Sequence, residues 1–223
     1  HPLDVTLSDG TTVTVNSSPF VFVPFNAPSV GSTTYAITTV RASGGTCVKG
    51  TGQGDVQVSV LARPTALLSG GSSVCVGEQS LLRVDVTGSA PWTVVFTNGM
   101  MVSIPAGETG VDVPVTPISS NTYSLLSVAD AHCSGTVSGS ATVKVHPLPE
   151  VTLSGSAMIC AGQPTSLTLT MPSGTAPYQI NVKVNGIETV LNNIVTSPYI
   201  WSVSPVVTTT YELVSITDAN GCS

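Results

Sequence analysis

The sequence is short of charge, of cations above all, of aromatic rings and of long apolar runs. Each shortage closes off a class of function. Only 8% of its 223 residues are charged, against roughly 25% in ordinary globular chains. Lys and Arg together number six, and the formal net charge is −6. Six scattered cations cannot build the basic stripe that nucleic acid requires, nor the polybasic cluster that grips anionic lipid. No apolar run approaches the roughly 20 residues of a membrane-spanning helix, so no membrane insertion is expected of this stretch. The three histidines are His1, His132 and His146. His132 falls in a turn and His146 beside prolines, a solvent-facing pattern rather than a catalytic one. There is no Gly-x-Ser-x-Gly, no His-Glu-x-x-His and no phosphate-cradling glycine loop. The cysteines are isolated, without the close pairs of a zinc site. The sequence predicts no enzyme, no cofactor and no metal.

What the chain has instead is repetition. Thr34-Tyr35, Thr122-Tyr123 and Thr210-Tyr211 each open an alternating apolar and hydroxyl run that ends in a small polar turn and a cysteine: Cys47, Cys133 and Cys222. The tyrosines are 123 − 35 = 88 and 211 − 123 = 88 residues apart. Pro2, Pro91 and Pro177 recur in register, and each is followed eight or nine residues later by Gly10, Gly99 or Gly186 in an Asp-Gly or Asn-Gly pair. Ser69-Gly70 through Cys75-Val76-Gly77-Glu78 matches Ser154-Gly155 through Cys160-Ala161-Gly162-Gln163. A fixed period of this kind marks a repeat array. The frame places a complete repeat at 62–147. It places a repeat lacking its last strand at 148–223 and the C-terminal part of a truncated repeat at 1–61. The stretch reads as a window on a longer array.

Within the complete repeat the period is two. Leu82, Val84 and Val86 alternate with Leu81, Arg83 and Asp85, and Val94 and Phe96 with Thr93 and Val95. Seven short strands are predicted near 65–69, 80–87, 92–97, 100–104, 109–115, 121–129 and 137–145. Such spacing, with turn signals throughout, predicts an all-β chain of tandem immunoglobulin-like antiparallel sandwiches. The Asn-Gly and Asp-Gly pairs predict type I′ hairpins at Gly10, Gly99 and Gly186. Tyr35, Tyr123 and Tyr211 stand where a tyrosine corner would stand, at the start of the penultimate strand. Arg63-Pro64 and His146-Pro147-Leu148-Pro149 are short, proline-stiffened joints, so the units are expected to stack into an elongated rod.

The frame also suggests the cysteine chemistry. It pairs Cys75 with Cys133 and Cys160 with Cys222, the early and late members of one repeat, at one pole of the sandwich. Cys47 is left unpaired in this window. Bridged cysteines imply an oxidising, extracellular setting; zinc and free thiols are the weaker alternatives. Asp130 and Asp218 offer oxygen to a calcium ion, but one carboxylate per turn favours an Asp that caps its own backbone. Trp92, Tyr178 and Trp201 could form a sugar-stacking face, although the equivalence of Trp92 and Tyr178 favours a shared packing role. Asn16-Ser17-Ser18 fits an N-glycosylation sequon.

The run Ser154–Gln163, Ala176-Pro177-Tyr178 and Thr208–Cys222, with Ser138-Gly139-Ser140-Ala141-Thr142-Val143, resembles the tandem Ig-like/PKD-like repeats of giant Bacteroidota surface proteins. These are gliding-motility adhesins and other substrates of type IX secretion. The resemblance covers the whole stretch, with a departure at Arg41 to Thr46. It implies a non-enzymatic stalk or filament region of a cell-surface adhesin, tied to gliding or surface attachment. The expected partners are neighbouring repeats of the same chain, surface polysaccharide or other filament chains. Polysaccharide-binding modules, and fibre subunits completed by a neighbour's strand, are the competing expectations.

Overall fold

The computed structural model describes residues 2–21, 29–43 and 50–223, and among these all regular structure is β-strand. Strand pairing divides the described residues into three units, with no pairing across 61–64 or 147–149.

The first unit holds β1 (Leu3–Leu7), β2 (Thr12–Val15), β3 (Gly31–Ala42) and β4 (Asp55–Val60), paired as one antiparallel sheet in the order β2-β1-β3-β4. None of its described side chains is fully buried.

The second unit is a complete sandwich of eight strands. They are β5 (Thr65–Gly70), β6 (Ser73–Cys75), β7 (Ser80–Thr87), β8 (Trp92–Phe96), β9 (Met101–Ile104), β10 (Gly110–Val115), β11 (Asn121–Ala129) and β12 (Thr136–His146). They run in the order β10-β7-β5-β12-β11-β8-β9, with β6 also on β12. The parallel pairing of β5 and β6 with the last strand, and the antiparallel pairing of the rest, is immunoglobulin-like. Alternation fills the interior: Leu82, Val84 and Val86 of β7 face Trp92, Val94 and Phe96 of β8, all buried. Each such side chain contributes roughly 1.5–3 kcal/mol of apolar burial.

One short strand, β6, escapes the sequence reading. The chain leaves β5 at Gly70-Gly71, both with positive φ (88° and 85°), and crosses from β7 to the far end of β12. Only a residue without a side chain fits at Gly71, because a Cβ there would stand 2.5 Å from the Thr142 carbonyl oxygen. Pairing then resumes for three residues and brings Cys75 opposite His146.

The third unit has β13 (Glu150–Ser154), β14 (Thr165–Ser173) and β17 (Tyr199–Val203) in one sheet. β15 (Tyr178–Val184), β16 (Ile187–Ile194) and β18 (Tyr211–Thr217) form the other. Its core is smaller, built on Leu169, Met171, Tyr178, Ile180, Val182, Ile194 and Ile216.

The hairpins correct the expected turn type at two of three places. Asn185-Gly186 is a two-residue turn with positive φ at both positions (50° and 81°), as type I′ requires. At Asp9-Gly10 and Asn98-Gly99 only the glycine is left-handed. Gly99 N–H donates to the Phe96 carbonyl (3.0 Å) and Phe96 N–H to the Met100 carbonyl (2.8 Å), and Gly10 and Leu7 repeat the pattern. These are three-residue loops in which the glycine forms a bulge. The side chains of Asp9 and Asn98 accept from the N–H two residues on, at Thr11 and Met100. Such acceptance favours the right-handed conformation at those positions.

Candidate functional site at the junction of two units

The expected cysteine pairs do not form. Cys75 of the second unit is bonded to Cys222 of the third, with Cα atoms 5.6 Å apart, while Cys133 and Cys160 are free. The reason is strand geometry. Cys133 lies three residues before β12 begins, and Cys75 stands against its last residue, His146. Eleven residues of strand span about 35 Å, so Cys75 and Cys133 occupy opposite poles of one sandwich. The third unit repeats the arrangement along β14. Cys160 precedes its first residue, and the Cys222 loop is tied to Thr175 beyond its last. A Cys160–Cys222 bond is therefore out of reach as well.

What the two bonded cysteines share is the linker. Val76 N–H donates to the His146 carbonyl (3.0 Å), which fixes Cys75 where the second unit ends. Glu78 holds the turn, its carboxylate accepting from Cys75 N–H (2.8 Å) and its own N–H donating to the Cys75 carbonyl (3.0 Å). On the other side, Ser173 Oγ donates to the Leu148 carbonyl, and Gly174 lies against Pro149. The Cys222 loop packs on that same end of the third unit. Both cysteines are buried, at 8% and 1% exposure.

Asp218 organises the Cys222 loop. One carboxylate oxygen accepts from the N–H groups of Asn220 (2.8 Å) and Cys222 (3.1 Å), and the other from Thr175 (2.9 Å). Burial pushes its pKa up, but these donors outweigh burial and hold the carboxyl below its ordinary 3.8. Asp130 does the same for Cys133. It accepts from His132 N–H (2.8 Å), Cys133 N–H (2.7 Å) and Ser89 N–H (3.1 Å), and these donors depress its pKa. Both carboxylates cap loops, so a cation at either turn would have to displace backbone donors.

The remaining candidates fall into structural places. Trp92 and Tyr178 are buried at equivalent positions, the Trp92 indole donating to the Thr87 carbonyl (3.0 Å) and the Tyr178 hydroxyl to the Ser173 carbonyl (3.4 Å). Neither can stack on a sugar. Trp201 is half-buried and meets Tyr211 edge-on at 5.3 Å. Tyr123 is buried at the start of β11, and Tyr35 and Tyr211 are half-buried. The hydroxyls of all three make no hydrogen bond to a described residue, so their rings pack without closing a tyrosine corner. Cys47 lies outside the described residues.

A second feature lies where the repeat frame leaves the third unit without a last strand. A cleft of about 770 Å³ opens in the third unit between Leu153–Ile159 and Thr208–Tyr211. Its walls are the counterparts of the residues that hold β12 in the second unit, namely Leu68, Val74 and Asn121–Ser124. Val74 is 9% exposed under β12, and its counterpart Ile159 is 38% exposed.

No protein-family model matches the chain, and no curated protein matches it. Among solved structures it is similar to the N-terminal eight Ig domains of Down syndrome cell adhesion molecule, at 17% identity and a TM-score of 0.30, covering 84% of this chain and 28% of that one. It is also similar to a tetra-tandem repeat in the extending region of a large adhesion protein. There the identity is 18% and the TM-score 0.29, covering 100% of this chain and 59% of that one. The chain thus spans less than two thirds of either structure.

Proposed function

We propose that this chain is a non-enzymatic repeat region of a large extracellular adhesin, a stalk whose consecutive sandwiches are chemically tied and which serves surface attachment or gliding. The observation that carries this reading is the Cys75–Cys222 bond between neighbouring units. A disulfide belongs to an oxidising compartment, and one that spans a joint restrains motion at that joint rather than within a fold. The carboxylates nearest to it close loops, which supports a mechanical role over a chemical one. Export by type IX secretion belongs to the same proposal and rests on the sequence resemblance.

Pulling the chain by its ends tests the mechanical reading. The bond withholds 147 residues of sequence separation from extension, and at about 3.4 Å per residue that is about 500 Å of hidden length. The non-reduced chain should extend without those 500 Å, and a reductant should release them. Extension to the full contour length without reductant would sink the tether reading.

One observation supports a second reading, in which an added strand completes the third unit: the open cleft against Ile159 and Tyr211. Its occupant is an extended segment of the β12 kind, with small and β-branched residues facing inward as Ala141 and Val143 do. A synthetic peptide of residues 135–146 should bind and raise the melting temperature of the third unit. No binding at millimolar peptide counts against this reading.

A further inference from the structure

We propose that the Cys75–Cys222 bond is one rung of a repeating inter-unit series. In this series Cys160 is the outgoing half of the next rung, and Cys133 is the incoming half of the one before. The inference concerns connectivity, so it stands or falls separately from the stalk reading.

Four observations carry it. First, Cys160 sits in the same turn as Cys75. Gln163 N–H donates to the Cys160 carbonyl (3.0 Å) as Glu78 N–H does to Cys75 (3.0 Å), and Gly77 and Gly162 both take positive φ (91° and 78°). Second, Cys133 sits in the same aspartate-clamped loop as Cys222. Asp130 N–H donates to the Cys133 carbonyl (2.9 Å) and Asp218 N–H to the Cys222 carbonyl (3.0 Å), while each carboxylate accepts from the cysteine N–H. Third, the poles match. Cys133 faces the joint before its own unit, where Thr136 N–H donates to the Pro64 carbonyl (3.1 Å), and Cys160 faces away from the joint that its unit already shares. Fourth, the exposures match the roles. Cys160 is exposed and Cys133 half-buried, whereas their bonded counterparts, Cys75 and Cys222, are buried.

The structure therefore contains one early–late bond across a joint, and one preformed half of each type on the far sides. The partner of Cys160 is the aspartate-clamped cysteine of a further unit of this kind, following in tandem. Closing the rung removes two protons and two electrons from two thiols as the S–S bond forms. The oxidant is a small-molecule disulfide such as oxidised glutathione. The Cys160 thiolate first forms a mixed disulfide with it, and the incoming thiolate displaces the second glutathione thiol.

The test lengthens the full chain at Ser223 with a second copy of residues 135–223. This supplies a β12 segment, the 147–149 joint and a new Cys222. The protein is refolded in a glutathione redox buffer, alkylated and mapped without reduction. The expected map links Cys160 to the appended copy's Cys222 alongside Cys75–Cys222, and alkylation of Cys160 falls at least tenfold relative to the 223-residue chain. In the same lengthened chain, Cys160→Ser should leave the appended Cys222 alkylatable while Cys75–Cys222 persists. Cys160 still alkylatable, or joined to Cys75 or Cys133, would overturn the proposal. Loss of both inter-unit links would overturn it too, because the two joints are claimed to be equivalent.

Discussion

Breaking the inter-unit bond should destabilise the third unit far more than its single lost contact suggests, and the size of the effect can be worked from the structure. With the second unit folded, Val76 holds Cys75 against His146, so the bond closes a loop from His146 to Cys222 of 222 − 146 = 76 residues. In the chain-entropy account such a loop is worth about 4.5 kcal/mol. The third unit has seven buried core hydrophobics against seventeen in the second, so it unfolds first and feels the loss. For a unit of this size about 4 kcal/mol corresponds to a fall in Tm of roughly 15–30 °C. Each unit has its own reporter, Trp92 in the second and Trp201 in the third, and these are the chain's two tryptophans. Reduction, Cys75→Ser and Cys222→Ser should each lower the Trp201 transition by a similar amount. The Trp92 transition should move by less than a quarter as much. Agreement among the three perturbations separates loss of the bond from loss of the buried Cys222 side chain. An unchanged Trp201 transition in all three would refute the loop argument.

Other outcomes follow from single residues. Gly71→Ala should lower the stability of the second unit by about 2–4 kcal/mol, measured by urea unfolding on Trp92, because the new Cβ meets the Thr142 main chain and the left-handed φ is strained. Asp218 and Asp130 are held below the ordinary 3.8, so their contribution is complete above that value and lost as pH falls through and below it. The Trp201 melting temperature should drop as pH falls from about 4 towards 2, by calorimetry or fluorescence, and Asp218→Asn should flatten that drop. Without reductant, iodoacetamide should label Cys160 fastest and Cys133 more slowly, and should spare Cys75 and Cys222, as mass spectrometry of timed samples will show.

Much of the architecture was legible in the sequence because period-two alternation is a local property. The seven strands read from the second repeat all exist, and Leu82, Val84, Val86, Val94 and Phe96 face inward as their spacing implies. The strand that escaped, β6, is three residues long and depends on a kink that only the tertiary approach of Thr142 explains. Cysteine pairing failed for a different reason. Early and late cysteines of one repeat look like natural partners along the sequence, yet five strands, β7 to β11, separate Cys75 from Cys133. Each antiparallel strand carries the chain to the other pole, so an odd number of traverses leaves the two far apart. That count was available from the strand assignment alone. The place of the cleft followed from the repeat frame, which left 148–223 without a last strand, but its size depends on how the walls pack once the sheets close.

A bond that joins Cys75 to Cys222 also imposes an order of events on a chain made from its N-terminus. Cys75 is complete 147 residues before its partner, which at roughly 5–20 residues per second is a wait of about 7–30 s. Cys133 appears much sooner and is the next thiol to emerge after Cys75, so it is a wrong partner that arrives before the right one. Once His146 has been added, β12 can close the second sandwich, and β-sandwiches fold in roughly milliseconds to seconds. Folding then carries Cys133 to the opposite pole before Cys222 exists. The sandwich acts as its own proofreader, removing the wrong partner from reach and holding Cys75 at the joint where the right one will arrive.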